Sequence, residues 1–145
     1  MQLAFVNVRN PNNASDAGVY EYDSAANKYS LTSIDDLGSV SKTYRISKFE
    51  ITNTQYARFL NIACRFDERT LYDNRMDTEE SGGITRSNGG DSNNPWTYTV
   101  KEHMTDKPVT FVSYLSSLRF ANWLHNNAPD NIDDHCIILD YGAYN

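Results

Sequence analysis

Residues 49–61 read Phe-Glu-Ile-Thr-Asn-Thr-Gln-Tyr-Ala-Arg-Phe-Leu-Asn, and this stretch decides the fold. Thr52 and Gln55 stand three apart in the form of a capping box, a hydroxyl able to accept from the N3 amide and a Gln able to reach back. A helix is expected to begin here. Within it Tyr56, Phe59, Leu60 and Ala63 fall at i, i+3, i+4 and i+7, an apolar stripe for the core, with Arg58 and Asn61 facing elsewhere. Just upstream, Tyr44 to Ile51 alternates apolar and polar residues like a half-buried strand, and a phase slip at Ser47-Lys48 suits a bulge or a break.

A second ordered stretch lies at residues 107–126, KPVTFVSYLSSLRFANWLHN. Pro108 to Val112 reads as a strand, Ser113 as an N-cap and Tyr114 to Asn126 as a helix. Tyr114, Leu118, Ala121 and Leu124 give its stripe, widened by Phe120 and Trp123.

Elsewhere the signals are weaker. Leu3 to Val8 suits a short strand, and the turn formers of Asn10 to Asp16 follow it. Val19 to Leu31 reads as a weak hairpin or an irregular insertion. From Phe66 to Thr99 the chain reads as one long polar loop, punctuated by Gly82-Gly83, Gly89-Gly90 and Asn94-Pro95. Loops of that length in a domain usually carry function. After Pro129 an acidic turn through Asp133 and Asp134 leads to the apolar run Cys136 to Leu139, and a further strand or turn begins near Tyr141.

The chain has 145 residues, enough for one domain with a core. Its net charge of -6, with no concentration of Lys and Arg, excludes a phosphate-binding face and nucleic acid as a partner. The run Leu3 to Val8 is too short for a signal peptide, and no stretch approaches the ~20 apolar residues of a membrane span. Compartment is left open. Cys64 and Cys136 form no CxxC pair, so neither a zinc ribbon nor a disulfide framework is indicated.

The two ordered stretches resemble signatures of the formylglycine-generating-enzyme, or sulfatase-modifying-factor, family. Phe49 to Asn61 is similar to the family's opening signature, and Lys107 to Asn126 to its Pro-Val, Val-Ser-Trp and Phe-Ala-Asn-Trp-Leu segment. Between them, Leu71-Tyr72-Asp73-Asn74 and Gly82-Gly83-Ile84-Thr85-Arg86-Ser87 resemble the loop of one subgroup. The resemblance implies an α+β, C-type-lectin-like fold: two helices packed on short antiparallel strands with long irregular loops, here as a single, partial domain over 1–145. It assigns structural roles to Glu50, Thr52, Asn53, Tyr56, Phe59 and Leu60 in the first signature. In the second it assigns them to Pro108, Val109, Ser113, Phe120, Asn122 and Trp123. Asn53 and Asn122 are expected to hydrogen-bond buried backbone. Two positions depart from the pattern: Tyr114 stands where Trp is usual, and Ser116 where Asp is common.

The family reaction, copper-assisted oxidation of a substrate cysteine to formylglycine, needs soft thiolate ligands held close together. Neither Cys64 nor Cys136 matches the family's reactive pair, whose segment has no counterpart before Asn145. The expected role is therefore a non-catalytic or incomplete family domain serving as a recognition scaffold. Its loop would offer Tyr72, Asn74, Arg86, Trp96 and Tyr98 to a protein or glycan. One alternative is the N-terminal fragment of a full oxidase with its cysteines beyond residue 145, which would require copper. Another is a structural component of a surface or virion assembly.

No cofactor is expected in the chain itself, with calcium the exception to consider, on Asp73 and Asp77. Those acidic residues, with Glu79 and Glu80, lack the spacing of an EF-hand loop. Cys64 reads as a small buried hydrophobe, and His125 as a cation at a helix C-terminus. His135 and Cys136, adjacent on a strand, would point to opposite faces, and His103 has no acid/base partner in the sequence. A sheet lacking its later strands would leave open edges, so self-association or a second chain completing the sheet is expected.

Overall fold

The Thr52 capping box is formed. Thr52 accepts from the Gln55 amide at 3.3 Å, while the Thr52 amide donates to Gln55 Oε1 at 2.9 Å. It opens helix α1, Asn53–Ala63, which buries Asn53, Tyr56, Ala57, Phe59 and Leu60. The structure is a computed structural model that describes residues 3–14, 19–32, 38–66, 70–87, 89–91, 93–130 and 137–144. It divides into two compact units, residues 2–49 and 50–145. Expectations that concern Ser15, Asp16, Asp133, Asp134, His135 and Cys136 lie outside the described residues.

The remaining elements are strands β1 (Phe5–Val8), β2 (Val19–Asp23), β3 (Lys28–Thr32) and β4 (Tyr44–Ser47), helix α2 (Arg75–Thr78), and strands β5 (Ile84–Arg86) and β6 (Tyr98–Val100). Helix α3 (Tyr114–His125) and a 3-10 turn at Ile137–Leu139 complete an α+β architecture. Among the described residues no helix is long and apolar enough to cross a membrane.

The core lies in residues 50–145, where α1 and α3 meet through rings. Phe59 stands edge-on to Phe120 at 5.2 Å and 5.3 Å from Trp123, with Tyr56 5.8 Å from Phe120. Tilted and edge-to-face contacts suit aromatic quadrupoles, and fully buried rings are the largest hydrophobic contribution a helix pair can make. The face of α3 differs from the expected stripe. Ser116, Phe120, Asn122 and Trp123 are buried, while Tyr114 is 75% exposed. The helix turns Phe120 and Trp123 onto Phe59, Leu118, Ala121 and Leu124 of the expected stripe stay half-buried, and Tyr114 alone of that stripe is exposed.

Residues 66–99 are not one irregular loop. They contain α2, β5 and the start of β6, anchored by fully buried Met76 and Ile84. Elements of three or four residues are too short to show a period. β5 and β6 pair antiparallel, Ile84 opposite Val100 and Arg86 opposite Tyr98. Asn61 joins α1 to this pair: its side chain donates to Tyr98 O at 2.8 Å and accepts from Tyr98 N at 3.0 Å.

The expected strand at Pro108–Val112 is also absent. Pro108 makes a single antiparallel bridge to Thr52, and the Val109 amide donates to Ile51 O, but Phe111 adopts φ 60° and ends any extended run. Ser113 caps α3, accepting from the Ser116 amide at 3.1 Å.

Residues 2–49 form two separate ladders. β1 and β4 pair antiparallel with Val6 opposite Ile46 and Val8 opposite Tyr44; β4 stops at Ser47, so the phase slip is a break. β2 and β3 form a hairpin, Tyr22 opposite Tyr29, whose turn is held by Asp23 Oδ1 accepting from the Ala25 and Ala26 amides. In this unit residues 3–14, 22–30 and 38–49 are exposed or half-buried.

Candidate functional site

β5 and β6 bring the five expected recognition residues together. Tyr72 and Tyr98 lie buried with rings 5.3 Å apart, and their hydroxyls donate to Ile84 O (3.2 Å) and Cys64 O (2.8 Å). The Arg86 guanidinium stacks over both Tyr72 (4.7 Å) and Trp96 (4.2 Å) and donates to Asn74 Oδ1 at 3.2 Å. Such a sandwich fixes the cation through the negative faces of two rings. Gly90, at φ +105°, lets the loop lie against the Trp96 indole, where a Cβ would sit 2.3 Å from Nε1. Tyr72 and Tyr98 are thus the floor of this cluster, and Asn74, Arg86 and Trp96 its reachable part.

Tyr72 also belongs to an adjoining cleft of about 320 Å³. One wall is Thr70, Leu71, Tyr72 and Asp73; the other is Phe111 and the first turns of α3, with Ser113, Leu115, Ser116 and Arg119. The floor is tied down by Tyr56, whose hydroxyl donates to Leu71 O at 2.8 Å. Burial pushes the Tyr56 hydroxyl well above the ordinary phenol range, against the opposing effect of a Ser116 hydrogen bond, so it stays a neutral donor. Ser116, 2% exposed, has its Oγ hydrogen-bonded to Ser113 Oγ at 2.8 Å at the start of α3.

Both walls contain a non-glycine residue in left-handed backbone, Thr70 at φ 51° and Phe111 at φ 60°. For a β-branched or bulky residue this conformation is an outlier, and each instance costs about 1–3 kcal/mol. The charges at the rim are paired. Asp73 accepts from Arg75 Nε (3.1 Å) and Nη2 (2.8 Å), and these bonds hold its carboxyl down at about 2. Arg75 in turn covers the Phe111 ring at 5.0 Å, and Arg119 Nε donates to Asp140 Oδ1 at 3.1 Å.

The carboxylates considered for calcium stand apart in function. Asp73 serves Arg75, and Asp77 lies beside Lys101, whose ammonium donates to the Asp77 carbonyl. Among the described residues no group of three or more His, Cys, Asp or Glu comes together. Cys64 is buried at the C-cap of α1. His103 is exposed next to Glu102, and His125 is exposed in the last turn of α3.

The signature asparagines tie α1 and α3 to neighbouring backbone. Asn53 Nδ2 donates to Met104 O and Lys107 O, both at 3.0 Å. Asn122 donates to Leu139 O (3.1 Å) and Tyr144 O (2.9 Å) and accepts from Tyr144 N (2.9 Å). Sequence reading did not single out Thr70, Phe111, Leu115 or Arg119, because left-handed backbone at a non-glycine residue leaves no compositional trace. No curated protein and no solved structure matches the chain. The family model of the sulfatase-modifying factor enzyme 1-like domain matches residues 16–136, reaching into both units, and the chain belongs to that family.

Proposed function

We propose that this sulfatase-modifying-factor-like domain is a recognition scaffold and that the cleft between residues 70–73 and the start of α3 takes its ligand. The carrying observation is the pair of left-handed residues, Thr70 and Phe111, on opposite walls of one cleft. Strain of this kind persists where the surroundings over-determine it, and it clusters at ligand clamps. The volume falls at the lower end of the ~300–1,000 Å³ typical of small-ligand sites, and the mixture of apolar walls with a few convergent polar groups fits that class. The lectin-like arrangement implied by the signatures accords with this reading, and the Arg86–Trp96 cluster extends it along the neighbouring surface.

Amide shift mapping on the intact chain tests it, with mixtures of short neutral oligosaccharides, acidic oligosaccharides and blocked peptides as probes. Saturable shifts should gather on Leu71 to Asp73 and on Ser113 to Arg119. Shifts confined to other surfaces, with the cleft silent, would overturn the assignment.

A further inference from the structure

Resting on the cleft as the recognition site, we infer that Arg75 is its positioning residue. One guanidinium, anchored on one wall and stacked on the other, holds Phe111 in the left-handed conformation that shapes the cleft. Arg75 itself opens α2 and does not line the cleft.

The first observation is the anchor. Asp73 Oδ1 accepts from the Arg75 amide (2.9 Å) and from its Nε (3.1 Å), while Asp73 Oδ2 accepts from Nη2 (2.8 Å). With the two side chains 60% and 35% exposed, water screens the charges, and attraction alone contributes little. What the bonds supply is direction, because a planar fork gripped through both Nε and Nη2 has its plane fixed.

The second observation is the stack. The same guanidinium carbon lies 5.0 Å from the centre of the Phe111 ring, on the opposite wall and within cation–π range. The third is the backbone. Phe111 is at φ 60°, an outlier for a bulky residue, and its neighbours are held on either side. Thr110 Oγ1 donates to Ser81 O at 2.8 Å, and Ser113 Oγ accepts from the Ser116 amide to start α3. With both flanks held, a change of φ at Phe111 swings its ring. The stack and the left-handed conformation are therefore linked, and Arg75 favours the backbone state that brings the ring beneath it. Phe111 also packs partly against the core, a second support that the experiment separates from the first.

The test uses the intact chain, without ligand, read by NMR. In the unmodified chain the Arg75 side-chain protons should be shifted upfield by the Phe111 ring, and Phe111 should show the strong intraresidue Hα–HN contact of a positive φ. Arg75→Gln removes the cation and the fork, and should weaken that contact and introduce microsecond-to-millisecond exchange at the Phe111 and Val112 amides. Arg75→Lys keeps the charge without the fork and should behave like Arg75→Gln. Because Arg75 is exposed, an unchanged melting curve will separate these local effects from misfolding. A Phe111 that keeps its contact and shows no exchange in Arg75→Gln overturns the inference and leaves core packing as the support. Full rescue by Arg75→Lys overturns the directional role. The readout needs no ligand, so silence of the cleft toward the probe mixtures above would sink the recognition site and not the Arg75 assignment.

Discussion

Asn13 and Asn53 perform the same chemical task in two different settings. Asn13 donates to Gly38 O and accepts from the Val40 amide, tying down a loop of residues 2–49 at the surface. Asn53 donates to Met104 O and Lys107 O from within the core of residues 50–145, where it is 1% exposed. Val6 and Ile46 face one another across β1 and β4 at 44% and 51% exposure. On the same helix as Asn53, Tyr56 and Phe59 join a buried aromatic cluster with Phe120 and Trp123. One unit is held by backbone ladders and side-chain stitches, the other by burial. Two-stranded sheets are marginal by themselves, whereas a ring cluster between two helices supplies a cooperative core. The cleft is built on the second kind of support, which is what a preorganised site needs.

The contrast can be broken most severely at Trp123. Trp123→Ala removes a fully buried ring packed on Phe59 and Phe120 and should cost about 3–5 kcal/mol, read as a lower urea midpoint for residues 50–145. A loss under about 1 kcal/mol would mean that the rings are not the core. The asparagine pair gives a smaller and sharper test. Asn53→Ala leaves buried carbonyls without their donor and should cost about 1–3 kcal/mol, whereas Asn13→Ala, at the surface, should stay within about 0.5 kcal/mol. Equal effects would erase the distinction between the units.

Caps come next. Thr52→Ala should lower stability by about 1 kcal/mol through the lost α1 cap, against about 0.5 kcal/mol or less for Asp23→Ala in the β2–β3 turn. The smallest effect is electrostatic. Asp73 is depressed to about 2 by Arg75, below an unfolded value near ~3.9. Its folded-state contribution is therefore complete above the unfolded value and disappears as pH falls through about 2. A carboxyl carbon titration should find that midpoint, and Arg75→Ala should return it toward the ordinary range. An unshifted Asp73 in the unmodified chain would remove the ion pair from the cleft rim.

The parts of the fold legible in sequence are those set by local chemistry. Thr52 with Gln55 and Ser113 ahead of its helix marked both starts, because a cap needs only a hydroxyl within three residues of its amide. On α3 the core roles of Phe120 and Trp123 were legible, whereas the place of Tyr114 was not: it is 75% exposed, and only the position of Phe59 decides which ring is buried. Pro108–Val112 has strand composition, but Phe111 takes a left-handed conformation that composition does not reveal. At the site, the grouping of Tyr72, Asn74, Arg86, Trp96 and Tyr98 followed from the loop they share, yet the inward turn of the two tyrosine hydroxyls depends on carbonyls at Ile84 and Cys64. The cleft itself is made by residues distant in sequence, so no local motif announced it.

Residue-resolved hydrogen exchange on the intact chain bears most directly on the division between the two units. Core amides of α1 and α3 should exchange only with global unfolding, while those of β1 and β4 exchange through openings of clearly lower free energy. Equal protection in the ladders and the helices would contradict the claim that the aromatic core of residues 50–145, on which the cleft is built, is the more stable support.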